Sequence, residues 1–307
     1  PLYCQSARQN RLTLQALSWK YRKQTSRLMN RIPLILSIIL ATCLAQPALS
    51  QDAAGFSNTV RILSFNIYHG ATMKGDYDLD LIAGVIKAAD ADLVALQEVD
   101  FMTRRARGYD LATELGWRAK MAPLFGRAMT YDGGEYGEGI LSRYSFIASR
   151  NISLPFTGKN EPRAALMVTT VLPAGDTIIF IGTHFDHTTN EADRVLQAKS
   201  INELLVGALY PVILAGDLNA EPGSTPIEIL EELWGCAYDR SMPASTFPSD
   251  SPAKKIDYVM YYPRDRWKVI STDVICDSVA SDHCAHFVVL ELLSAPVSRN
   301  ASDPLGR

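Results

Sequence analysis

Cysteine is scarce in this 307-residue chain. It has five, two of them within the first 50 residues, and no C-x-x-C pair occurs. That excludes a thiolate zinc or cluster site of ordinary spacing. Histidine is equally scarce at five. Two fall in "GTHFDHTT" (182–189), where the leading histidine of an H-x-H-x-D-H zinc motif is replaced by Gly182. Zinc needs three or four protein ligands, so that stretch is not read as a zinc site.

Positive charge is also lacking. Seven of the 30 Lys/Arg and none of the 33 Asp/Glu lie in residues 1–50, which leaves 23 basic against 33 acidic residues beyond, a formal charge of −10. A chain that binds nucleic acid by neutralising phosphates is usually basic over a face, so no stable nucleic-acid partner is expected. No long Pro/Gly/Ser linker and no fixed-period repeat interrupts 57–294, which reads as one domain. The tail 295–307 is polar and reads as disordered.

The longest apolar run, "IPLILSIILATCL", has 13 residues, short of the roughly 20 that span a bilayer. It follows Met29-Asn30-Arg31 and precedes Ala48 and Ser50, small residues at −3 and −1 of a cut before Gln51. Residues 29–50 therefore read as a signal peptide and the protein as exported, with no membrane span once cut. Residues 1–28 read as an upstream segment without a function. Cys236, Cys276 and Cys284 remain. They allow one disulfide whose pair the sequence does not choose, buried thiols being the alternative.

Alternating or continuous apolar runs predict strands at 60–68, 92–99, 139–148, 164–172, 177–185, 212–219, 256–262 and 286–293. Helical spacing predicts helices over 79–91, 190–207 and 225–234. Strands outnumber helices and several run consecutively, which suggests mixed or antiparallel sheets flanked by helices.

Strand after strand ends in a polar group: Asn66, Glu98, His184 with Asp186, Asp217 with Asn219, Asp257, and Asp282-His283. Acids beside apolar runs are costly to bury unless paired or bound to a cation, so a shared site is the economical explanation. Carboxylates and amides without thiols suit Mg²⁺, with Mn²⁺ or Ca²⁺ as alternatives. Such equipment serves phosphoester hydrolysis.

In order along the chain, "SFNIYHG", "LVALQEVD", "GILSR", "GTHFDH", "ILAGDLNAEPGS", "KIDYVMY" and "ASDH" resemble the motifs of the endonuclease/exonuclease/phosphatase superfamily over about 60–293. The resemblance implies a four-layered α/β sandwich, with a site between the tops of two facing sheets. It implies that Asn66, Glu98 and Asp282 bind metal, and that Asp217 and Asn219 activate or position water. Asp257 would orient His283, His283 would bind phosphate, and His184 would stabilise the pentacovalent phosphate. Arg163 and Arg105 stand where bacterial members tend to carry phosphate-binding arginines. Glu138 stands where deoxyribonuclease I has an acid paired with a histidine, so it is expected to hydrogen-bond His184 and raise its pKa, with Asp186 in support.

His187 caps a turn or serves as a ligand in this reading, His69 faces the site, lies behind it or stands on the surface, His286 is structural, and Trp117, Trp234 and Trp267 are core residues. Lys254 and Lys255 either touch substrate or are solvated. The leading expectation is a monomeric, metal-dependent phosphodiesterase or phosphatase acting on a phosphoester. The alternatives are a secreted endonuclease like deoxyribonuclease I and an inactive binding module.

Overall fold

The computed structural model describes residues 58–294. The signal-peptide reading and the tail 295–307 lie outside the described residues. Two six-stranded sheets face each other. The first has the order β11-β12-β1-β2-β4-β3, from β1 (Thr59–Asn66), β2 (Leu93–Phe101), β3 (Ala122–Tyr131), β4 (Gly134–Ser142), β11 (Trp267–Ile275) and β12 (Ala285–Leu292). The second has the order β5-β6-β7-β8-β10-β9, from β5 (Phe146–Ser153), β6 (Ala164–Val171), β7 (Thr177–His184), β8 (Val212–Asp217), β9 (Gly235–Cys236) and β10 (Asp257–Tyr262). β1/β2 and β7/β8 are parallel.

Helices α1 (Leu79–Ala89) and α2 (Leu111–Ala119) cover the outer face of the first sheet. Helices α3 (Ala192–Glu203) and α4 (Thr225–Glu231) cover that of the second. The result is the four-layered α/β sandwich, with two mixed sheets.

Strand alternation sorts the layers. In β1, Leu63 and Phe65 pack beneath α1 and α2, while Val60 and Ile62 point between the sheets. The inter-sheet core also takes Leu93, Phe180, Ile213, Val259 and Leu290. Going up β1 on that same face, the apolar residues give way to Ser64 and then Asn66, both buried. In the facing sheet, Ile213 and Ala215 give way to Asp217 in β8. The polar groups thus gather at one end of a dry layer. Gly216 precedes Asp217 for a steric reason: a Cβ there would stand 2.2 Å from the Thr183 carbonyl oxygen, too close for β7 and β8 to pair.

Several local expectations are corrected. The segment 139–148 is two strands in different sheets, because Ser142 turns the chain. Its hydroxyl accepts from the Tyr144 N–H (2.9 Å) and donates to the Tyr144 carbonyl (2.8 Å). Helix α1 stops at Ala89 because Asp90 is left-handed (φ 49). Helix α2 is capped by Asp110, which accepts from Thr113 N–H at 3.1 Å. Apolar periodicity predicts neither that helix nor β3, β9 and β11. Trp234 and Trp267 are buried, but Trp117 is 76% exposed on the outer face of α2. Cys276 and Cys284 form a disulfide between the end of β11 and the start of β12, and Cys236 is free. No helix among the described residues is long and apolar enough to cross a membrane.

Candidate active site

Asp217, the last residue of β8 and 1% exposed, is the hub of the polar end. Its Oδ2 accepts from the Asn66 side-chain amide at 3.2 Å and lies 3.4 Å from His184 Nε2 and 3.6 Å from His283 Nε2. Its Oδ1 accepts from the Asn219 backbone N–H at 2.9 Å. β1, β7, β8 and the loop before β12 thus converge on one carboxylate. Burial pushes the Asp217 carboxyl well above the usual carboxylate range, and the neighbouring His283 only partly offsets this.

His283 Nδ1 lies 3.0 Å from Asp257 Oδ2 at the head of β10. Burial alone would lower the His283 pKa. The carboxylates of Asp257 and Asp217 outweigh burial and raise it, so the ring is held as imidazolium. His184 has the opposite character. Burial, then Arg163, then His283 push its pKa well below the usual value, so the ring is neutral. Arg163 Nη1 sits 3.3 Å from His184 Nδ1. A guanidinium only donates, so Nδ1 accepts and the ring proton resides on Nε2, facing Asp217. The Asn219 amide nitrogen, 3.0 Å from that Nε2, donates to the Phe185 carbonyl at 3.2 Å.

This overturns the expected Glu138–His184 pairing. Glu138 is fully buried on β4, and neither of its carboxylate oxygens has a hydrogen-bond partner. Arg163 has taken the His184 Nδ1 position, and the His184 pKa is lowered rather than raised. Burial, reinforced by Asp217 and Glu98 and opposed by Arg163, pushes the Glu138 carboxyl up to about 8.

Glu98 and Asp282 lie on the wall of the same cavity, which has a volume of about 340 Å³. Glu98 occupies an irregularity of β2 between Leu96 and Val99 and has left-handed backbone (φ 58). Tyr68, His69 and Asn219 around the site are left-handed too (φ 46, 47 and 46). Such strain costs energy and persists where surrounding structure holds it, commonly at functional sites. Burial would raise the Glu98 pKa, but hydrogen bonds from His69 (3.3 Å) and Asn66 (3.3 Å) and the charge of His283 lower it. The Asp282 pKa is raised by burial and by the Glu98 charge.

Asn66 bridges Glu98 and Asp217 through its nitrogen while its oxygen accepts from Tyr68 N–H at 3.1 Å. Asp217, Asp257 and His283 offer three donor atoms within 4.8 Å of one another. An imidazolium already bonded to Asp257 cannot ligate a cation, however, so Glu98 and Asp282 are the more available donors.

Arg163 is 2% exposed. Besides His184 it contacts His187 Nδ1 (3.1 Å), Glu161 (3.1 Å) and the Tyr136 hydroxyl (3.4 Å). Arg105 also lines the cavity, where its Nε and Nη2 donate to Asp100 (2.7 and 2.8 Å) and the group stacks 4.5 Å from the Tyr131 ring centroid. Asp186 is buried away from the cavity. It accepts from Thr188 and so shapes the turn that carries His187. His286 is buried against Thr272. Lys255 is buried with its ammonium on the Asp257 carbonyl, while Lys254 stays exposed. Tyr131, Tyr136, Glu161 and Phe247 complete the wall. Sequence reasoning missed them, because β3 was not read as a strand and the loop holding Phe247 carries no motif.

The Endonuclease/Exonuclease/phosphatase family matches residues 63–283, and the chain belongs to that family. Its members are in general divalent-metal-dependent phosphoester hydrolases. The uncharacterized Escherichia coli K12 protein YbhP is 27% identical over 218 residues, 65% of this chain and 83% of that one. Among solved structures, a Beutenbergia cavernae endonuclease/exonuclease/phosphatase has a TM-score of 0.66 at 23% identity, covering 78% of this chain and 73% of its own. A Bacteroides thetaiotaomicron mannosyl-6-phosphatase gives 0.59 at 18%, covering 75% and 99%. The human nocturnin catalytic domain gives 0.60 at 20%, covering 78% and 96%.

Proposed function

We propose that the protein is a Mg²⁺-dependent phosphoester hydrolase that works by in-line attack of water, with Asp217 as the base. The carrying observation is the convergence of Asn66, His184, His283 and Asn219 on the Asp217 carboxylate. A buried carboxylate with a raised pKa suits general-base work near neutral pH, where proton affinity and ionised fraction are both adequate.

The donor set fits a hard divalent cation. The Glu98 charge and burial raise the cost of ionising Asp282, and the oxygens of Glu138 are buried without partners. Glu98 and Asp282 would hold the ion; Asn66, expected as a third ligand, instead turns its amide nitrogen to Glu98 and Asp217 and orients those carboxylates. When bound, it supplies charge neutralisation and Lewis acidity toward phosphate oxygens.

The protein groups divide the remaining work. Arg163 presents a buried guanidinium to phosphate oxygens. His283, kept charged by Asp257, stabilises negative charge that grows on the phosphoryl oxygens. His184 and Asn219 orient the phosphoryl group against Asp217. Water gives its proton to Asp217 as its oxygen bonds to phosphorus. The ester P–O bond breaks, and the departing oxygen is protonated. Each aligned donor is worth on the order of 10²–10³ in rate.

Hydrolysis of bis(p-nitrophenyl) phosphate with Mg²⁺ tests the reading. Turnover is expected to vanish with EDTA and in Asp217→Ala. Metal-independent turnover, or full activity in that variant, would overturn it. The family to which the chain belongs also contains endonucleases, but the acidic balance of the chain beyond residue 50 favours a small substrate. Export through residues 29–50 and a monomeric state complete the proposal.

A further inference from the structure

A second cavity of about 450 Å³ adjoins the first and shares His187, Asn219, Phe247 and His283 with it. Both fall in the roughly 300–1,000 Å³ range of small-molecule sites. The carboxylates Glu98, Asp217 and Asp282 line only the first lobe. The phosphorus therefore belongs in the first lobe, against the shared ridge. A monoester would fill one lobe, whereas the ridge has a furnished space on either side.

The second lobe has its own chemistry. Glu221 and Lys254 line it, both exposed, and among the described residues neither side chain has a hydrogen-bond or ion-pair partner. Thr188, Thr189 and Ser224 add hydroxyls. Glu191 is engaged by Thr225 (2.8 Å), and Arg194, itself buried, donates from Nη1 to the carbonyls of Asp186 (3.0 Å) and Thr188 (2.6 Å). One free acceptor and one free donor suit hydroxyl groups, which both donate and accept. Phe247, its ring centroid 4.8 Å from that of His283, gives the ridge a flat apolar face for the C–H side of a polyol or sugar ring. An acyl chain would meet charged and hydroxyl groups here, and a polynucleotide would find few cations for its phosphates, Lys254 being exposed and Arg194 buried.

We propose that the second lobe binds the second alcohol of a phosphodiester, with Glu221 and Lys254 reading its hydroxyls. The substrate class is then a small diester joining two polyhydroxy alcohols. This rests on the phosphoesterase reading above. In the reaction, water oxygen bonds to phosphorus and the P–O bond to the alcohol in the second lobe breaks. That oxygen keeps the bonding pair and takes a proton from solvent, while Asp217 returns the proton it took from water to solvent, so the products are a phosphomonoester and a free alcohol.

The test compares glycerophosphoglycerol with glycerol 3-phosphate in the wild type and in a Glu221→Gln, Lys254→Ala double variant. The wild-type kcat/KM is expected to be at least tenfold higher for the diester, and the double variant to reduce that ratio at least tenfold. Calorimetric binding of glycerophosphoglycerol to Asp217→Asn protein should weaken at least tenfold when the same two changes are added. Equal or better use of the monoester, of an acylated diester or of plasmid DNA would overturn the proposal. So would unchanged binding in the triple variant. Absence of turnover on every substrate with every divalent cation would overturn the phosphoesterase reading instead, while the calorimetry still decides whether the second lobe holds the diester.

Discussion

Asp257 Oδ2 lies 3.0 Å from His283 Nδ1, joining the first residue of β10 to the loop before β12. Both groups are buried, at 0% and 6% exposure, so the pair acts in a medium that screens poorly. Asp257→Asn keeps the shape and removes the charge that holds His283 protonated. The His283 pKa should fall, and the alkaline limb of the kcat–pH profile should move to lower pH. At pH 8 the rate should drop on the order of 10²-fold. An unshifted alkaline limb would separate His283 from the titration.

Asp217 links function to a stability cost. Its pKa is raised by burial above the ordinary carboxylate value of about 3.9. Between those two values the folded state binds more protons than the unfolded state, so stability falls as pH rises through that window. Asp217→Asn removes the titration and can still accept from Asn219 N–H. The variant should lose on the order of 10³ in kcat. At pH 8 without divalent cation, it should be about 1–3 kcal/mol more stable than wild type, with the gain shrinking toward pH 4. Urea unfolding at the two pH values checks the sign.

How far the site was legible follows from strand geometry. Asn66, His184 and Asp217 are read easily because each ends an apolar run, and parallel β1/β2 and β7/β8 pairs bring such ends to one edge. Asp257 and His283 are legible because they flank strands of the same sheets. The partner of His184 is not legible. Arg163 precedes β6 and Glu138 lies within β4, and only the packing of the two sheets decides which of them reaches the imidazole. The Tyr131, Tyr136 and Phe247 wall is also hidden, because an aromatic on a strand or loop reads the same in a core as on a cavity. The 139–148 segment looked continuous because a hydroxyl-made turn leaves little trace in apolar periodicity.

The Cys276–Cys284 disulfide closes the loop that carries Asp282 and His283, eight residues apart in sequence. Closing so short a loop restricts the unfolded chain by about 2–3 kcal/mol in the chain-entropy account. The Cys276→Ser, Cys284→Ser double variant should lose about that much stability in urea unfolding. Its kcat should fall more than its KM rises, because the loosened loop positions groups that meet the reacting phosphorus. A stability loss with unchanged kcat would restrict the bridge to a structural part.

Lys255 offers a pH signature apart from catalysis. It is 3% exposed, and burial pushes its ammonium down to about 7, with Asp257 opposing. Between that value and the ordinary value of about 10.4 the unfolded state binds more protons, so this group makes stability rise with pH. Lys255→Met removes the titration while keeping much of the side-chain volume. From pH 6 to pH 9, the wild type should gain about 2–3 kcal/mol relative to the variant. The measurement is the difference in urea unfolding free energy between the two proteins at each pH, which cancels the titration of every group they share. A constant difference would mean that Lys255 keeps an ordinary pKa in the folded state.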